Sequence, residues 1–148
     1  MSLHLLKLCV GVDDIQELRD WQDQRRAQQL AAGETPRLRH VTRNWPRRAE
    51  EVLEGGSLYW VIKGFIRVRQ RIIGFDEVID PVEGTRKCGL VLDPALVETE
   101  LQPHRPMQGW RYLEPADAPL DRQGGNAAGG EADLPPEMLA ELRELGIL

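Results

Sequence analysis

SLYWVIKGFIRVRQRIIGFDEVIDPVEGTRKCGLVL, Ser57 to Leu92, is the stretch from which the fold is read. Ser57–Ile62 and Phe65–Phe75 are dense in β-branched and aromatic residues, the types that pack best on a pleated surface. Lys63-Gly64 between them is a candidate turn, which makes the pair a β-hairpin or two closely spaced strands. Gly74 marks a bulge or bend before a short strand, Glu77–Ile79. Pro81–Gly84 is a turn, and Thr85–Leu92 is a further strand that ends at Asp93-Pro94.

Outward from this centre, His4–Val10 has apolar residues on both faces and reads as a strand inside a sheet. Asp13, with Gln16 three residues on, predicts a capped helix that runs to about Ala32 and stops at Gly33. Its inner stripe is Ile15, Leu18, Trp21 and Gln22. Leu38–Val41 is a short extended segment. A second helix is expected from Thr42 or Asn44, with Pro46 in its first turn, Ala49, Val52 and Leu53 as its apolar face, and Gly55-Gly56 as its stop. Strands clustered together, rather than alternating with helices, predict an α+β fold. Five or six strands form either a small bent mixed or antiparallel sheet or a closed barrel, with two main helices.

The C-terminal third differs. Pro106, Trp110 and Tyr112 predict an extended arm on the body. Residues 114–136 read as a flexible acidic linker with Gly124-Gly125 and Gly129-Gly130, and residues 137–148 as a short terminal helix. The organisation expected is thus one domain over 1–113, a linker and a helix. No apolar run reaches the roughly 18 residues of a membrane span, and the first ten residues lack a signal peptide's layout, so a cytoplasmic protein is expected. Cys9 and Cys88, each in an apolar segment, are expected as buried free thiols.

Charge is unevenly spread. Between Pro36 and Arg71 lie nine basic and three acidic residues, so this block is +6 while the rest, within a total of −5, is −11. Arg67, Arg69 and Arg71 alternate along a strand, roughly 6.5–7 Å apart on one face, a spacing that suits successive phosphates. Lys63 extends the row if no turn intervenes. Arg43, Arg47 and Arg48 lie close in sequence, and Tyr59 and Trp60 offer stacking surfaces. Trp110 and Arg111 either line a pocket or fasten the arm, and the packing weight of an indole favours the fastening role.

Other chemistry is thinly represented. Gly55-Gly56-Ser57-Leu58-Tyr59 fails as a nucleophile elbow, because Tyr59 stands where the second glycine belongs and the local order is helix to strand. His4, His40 and His104 lack metal-ligand spacing, and neither a metal nor a cofactor is expected. His40 lies beside the basic block. With Asp76 or Glu77 it could serve an acid/base role.

Several blocks carry a resemblance: His4–Gly11, Gly55–Gly64, Arg69-Gln70-Arg71, Leu90–Pro94 and Gln108–Leu113. Together they resemble the signature of an uncharacterised bacterial family of about the same length, a domain of unknown function. The Tyr59-Trp60 strand and the strand density also resemble, more distantly, PUA-like barrels of the ASCH and EVE types. That likeness implies binding of RNA or modified bases. The expected function is therefore a binding domain for RNA or a nucleobase-like ligand on the basic strand face. The alternatives are a small enzyme acting on an anionic, nucleotide-like substrate and a protein-interaction module.

Overall fold

The computed structural model describes residues 3–122. The terminal helix expected over 137–148 and most of the 114–136 linker lie outside the described residues. Within them the elements are β1 (His4–Leu8), α1 (Ile15–Ala31), β2 (Arg39–Thr42), α2 (Ala49–Leu53), β3 (Ser57–Ile62), β4 (Phe65–Ile79), β5 (Arg86–Leu92), β6 (Val97–Pro103) and β7 (Trp110–Leu113). A single 3-10 turn follows at Pro115–Asp117.

These seven strands form one mixed sheet in the order β2-β5-β4-β3-β1-β7, with β6 also on β4. The β1–β3 pair is parallel, and every other pairing is antiparallel. Of the two architectures expected, the bent mixed sheet is the one formed, since the described strands do not close into a barrel. β4 is its spine. Its first half pairs with β3 and β6, its second half with β5, and the bend falls at the Ile72/Gly74 register shift. β5 and β6 follow β4 as one broken strand. Between them Asp93 N–H still bonds Arg71 C=O at 2.9 Å, before Pro94 interrupts the run.

Local chemistry explains the ends of these elements. Lys63 and Gly64 both have positive φ, 48° and 80°, the mirror-image turn that matches the twist of a two-residue hairpin. The β4–β5 turn is held by Asp80, whose carboxylate accepts N–H bonds from Val82 and Glu83 at 2.8 and 3.0 Å. Those bonds, with Lys87 beside them, hold its pKa down to about 2. The cap of α1 falls one residue later than expected. Asp14 accepts from Glu17 N–H at 2.8 Å, while the Glu17 carboxylate accepts from Asp13 N–H at 3.2 Å. α2 also starts late, at Ala49, because Asn44 and Trp45 are held in a loop: Thr42 Oγ1 and Trp110 Nε1 both donate to Asn44 C=O.

Two apolar layers flank the sheet. One holds Leu5, Leu58, Trp60, Val68, Ile72 and Leu90, covered by Leu18 of α1 and Val52 of α2. The other holds Leu6, Tyr59, Val61, Ile66, Met107 and Leu113. Cys9 and Cys88 are buried free thiols. The body does not stop at Leu113. Glu100 N–H bonds Leu120 C=O, Arg122 N–H bonds Glu98 C=O, and Thr99 bridges Asp121. The first residues read as linker are therefore a strap against β6, secured by backbone bonds that composition does not reveal.

Candidate functional site

The arginine row does not form a continuous ladder. Between Trp60↔Val68 and Val61↔Ile66 the β3–β4 register shifts, and Arg67 is the extra residue. A bulge of this kind removes a residue from the period-2 alternation. Arg67 is only 6% exposed. Its guanidinium folds back over the hairpin, with Nε donating to Ile62 C=O at 2.6 Å and the group lying over the Phe65 ring. Lys63 sits in the turn, exposed, 3.9 Å from Asp13, so it does not extend the row.

Arg69 and Arg71 do share a face with Tyr59 and Ser57, but the strap reaches over it. Arg69 donates to both Asp121 oxygens, at 2.7 and 2.8 Å, and to Ser57 Oγ at 3.0 Å. The bidentate bond raises the Arg69 pKa and lowers that of Asp121. Arg71 and Arg111 are exposed. Arg43 and Arg47 are exposed in the β2–α2 loop. Arg48 is tied to Glu51 and lies 5.6 Å from the Tyr112 ring centroid. Trp110 is the clamp: its indole N–H donates to Asn44 C=O at 2.9 Å, and its ring meets Tyr112 edge to face at 5.0 Å. The expected binding set is thus divided among a hairpin, a covered face and a loop.

The acid/base set is divided in part: Glu77 pairs with Cys88 and so shares the face of Thr42 and His40, while Asp76 does not. His40 pairs with Leu90, which pairs with Phe75, while Val41 pairs with Gly89, which pairs with Asp76. Directly opposed residues share a face, so His40 and Asp76 point to opposite sides of the sheet. Asp76 instead pairs with Arg37 at 2.8 Å and Arg39 at 3.6 Å, and Glu77 faces Arg86 at 3.7 Å. Among the described residues no cluster has the makeup of a metal site.

What the fold does build is a cavity of about 420 Å³ at the carboxyl end of β1. Here the chain leaves the parallel β1–β3 pair for α1, the end at which a β-to-α connection leaves a crevice. Gly11, at φ 80°, makes the turn. The walls include Lys7, Cys9, Glu17, Trp21, His40 and Trp60. The volume falls within the roughly 300–1,000 Å³ of small-molecule sites, and a mainly apolar wall with few polar groups is their usual composition.

Trp60 is fixed from behind. Its indole N–H donates to Gln70 Oε1 at 2.9 Å, and Gln70 and Gln22 exchange both amide bonds, at 2.8 and 3.0 Å. Gln70 also donates to Asp93 C=O at 3.1 Å. A buried amide pair with every group bonded sets the indole in one orientation. His40 meets Trp60 edge to face at 5.0 Å. Burial holds its pKa down to about 4, with Lys7 and Arg25 adding to the effect, so the ring is neutral at pH 7. Among the described residues, the buried side-chain nitrogen left without a hydrogen-bond partner is His40 Nε2.

Cys9 is no nucleophile as it stands, because burial pushes its thiol up to about 11 and only the thiolate attacks. Burial likewise lowers the Lys7 pKa. Trp21 is 46% exposed, and Arg25 stacks over it at 4.7 Å. Helical spacing puts Trp21 in the core stripe, and nothing in the sequence marks Lys7 or the buried thiol of Cys9 as part of a cavity wall. The available signals were an Arg one helical turn after Trp21, and His40 beside the basic block.

Comparison with known proteins adds a family but no activity. A family model described as a protein of unknown function (DUF1489) matches residues 5–148. No curated protein and no solved structure matches the chain.

Proposed function

The chain belongs to the DUF1489 family, a family of unknown function, and we propose from the geometry that this domain binds a planar, nucleobase-like ligand in the cavity beside Trp60. The observation that carries the reading is an aromatic-walled cavity of about 420 Å³ holding a neutral imidazole. Indole rings favour flat π-systems through stacking and edge contacts. A neutral imidazole carries one donor and one acceptor, which complements the edge of a heteroaromatic ring. The basic strand face supports binding less well, since Arg67 and Arg69 are already engaged.

Titration with adenosine, guanosine, cytidine and uridine, followed by tryptophan fluorescence and calorimetry, tests this reading. Saturable binding of at least one nucleoside is expected. Trp21→Ala should weaken it about tenfold, a loss of about 1.4 kcal/mol. Arg71→Glu, on the other face, should leave it unchanged. Absence of saturable binding for all four, or loss on Arg71→Glu with Trp21→Ala silent, would overturn the cavity as the binding site.

A further inference from the structure

Next to the cavity, across Val41, lies a second, narrower hollow of about 80 Å³ bordered by Arg25, Arg26, Arg37 and Arg39. Two arginines come from successive positions on α1 and two from β2 and its approach. Gln29 locks these elements together, accepting from Arg37 N–H at 2.9 Å and donating to Arg37 C=O at 3.2 Å. The two segments that carry these arginines are therefore fixed to one another, with the four side chains exposed around the hollow.

Gly89 contributes in a way that only tertiary contact reveals. A Cβ there would lie 2.6 Å from Arg39 Cδ and 2.9 Å from Arg39 Cγ, so the absent side chain is what lets Arg39 cross β5 toward Asp76. Asp76 then bonds Arg37 and Arg39. It is the carboxylate ion-paired with this group among the described residues, and it meets two of the four guanidinium groups. Arg26 has no ion-pair partner among the described residues. Arg25 stacks on Trp21, a wall of the first cavity, and so joins the two hollows. In a chain of net charge −5, this local excess of positive charge is a matter of placement and not of composition.

We propose that the arginine hollow is a phosphate subsite and that the ligand of the adjoining cavity is a nucleoside phosphate, free or within a single strand. The proposal rests on the cavity being a base site. A planar base sits among Trp21, His40 and Trp60, and its phosphate reaches Arg25, Arg26 and Arg37. Arg37 meets Asp76 through Nη2 alone and is otherwise exposed, unlike the bidentate Arg69, so it keeps donors for phosphate oxygens.

The test compares each ribonucleoside with its 5′-monophosphate and with a short single-stranded RNA and DNA of the same base, at low and high salt. The monophosphate should bind about tenfold tighter than the nucleoside at low salt, and the advantage should shrink as salt screens it. Arg26→Glu and, separately, Arg37→Ala should remove that advantage while nucleoside affinity stays as it was. A single strand that binds tighter than the monophosphate supports the subsite and identifies the polymer as the source. Equal affinity supports it and identifies the free nucleotide. Nucleosides and monophosphates that bind alike, or an advantage that survives Arg26→Glu and Arg37→Ala, would overturn the phosphate subsite and leave the base cavity standing. No binding of any of these ligands overturns both.

Discussion

At the scale of the residue, His40 carries the sharpest consequence. The unfolded chain holds this imidazole near 6.5, and the folded protein holds it down to about 4 because burial disfavours the charged ring. As pH falls through that interval the unfolded state takes up the proton first. The stability contributed by the neutral ring is therefore complete above about pH 6.5 and is lost progressively toward pH 4, by about 3 kcal/mol at most. His40→Gln should show a shallower decline in urea midpoint than the wild type between pH 7 and 4.5. Parallel declines would mean that His40 is not held neutral in the folded protein. His4, whose pKa is also lowered by burial and by Arg69, titrates in both proteins, so the difference isolates His40. The sequence marked His40 only by its neighbours. Its burial against Trp60 depends on β2 lying beside β5, a pairing between segments about fifty residues apart.

At the scale of the element, the α2–β3 junction shows where close approach dictates residue type. Gly55-Gly56 reads from sequence as a helix stop, and Gly55 has the positive φ, 100°, of such an end. Gly56 serves another purpose. A Cβ on it would lie 2.2 Å from Leu3 C=O oxygen and 2.4 Å from Val52 C=O oxygen, both backbone atoms that cannot swing aside. Gly56→Ala should thus destabilise the fold by about 2–3 kcal/mol, read as a lower urea midpoint. An unchanged midpoint would refute the close packing of β1, α2 and β3 at this point. β4 teaches the opposite lesson about legibility. Its composition announces a strand, and the expected bend at Gly74 is there as a register shift. The bulge at Arg67 has no sequence mark, because it arises from pairing with two neighbours at once, β3 and β6. β6 itself, VETELQP, was not legible as a strand, since its polar residues leave little apolar alternation.

At the scale of the whole molecule, a helix layer is coupled to the sheet by a polar link inside an apolar interface. Gln22 and Gln70 are 4% and 0% exposed and satisfy one another. Gln70→Leu leaves Gln22 and the Trp60 indole N–H without a buried partner and should cost about 1–3 kcal/mol. Gln22→Leu should cost less, because Gln70 still accepts from the Trp60 indole N–H and donates to Asp93 C=O. In the double variant the two losses should fall short of additive in a chemical-denaturation cycle, since Gln22→Leu removes the amide that Gln70→Leu would leave unpaired. Strict additivity would mean that the pair does not couple α1 to the sheet. The sequence by itself determined the β-rich centre, the long first helix, the free thiols and the uneven charge, because periodicity, caps and turn residues are local quantities. Only the tertiary structure decided what the charges and aromatics do. The bulge turned Arg67 inward, the strap put Asp121 on Arg69, and the β2–β5 pairing set His40 beside Trp60 and the arginines of α1 beside those of β2. The physical reason is that a side chain's partners are set by register and by contacts between distant segments. A shift of one residue in either moves a side chain to the opposite face.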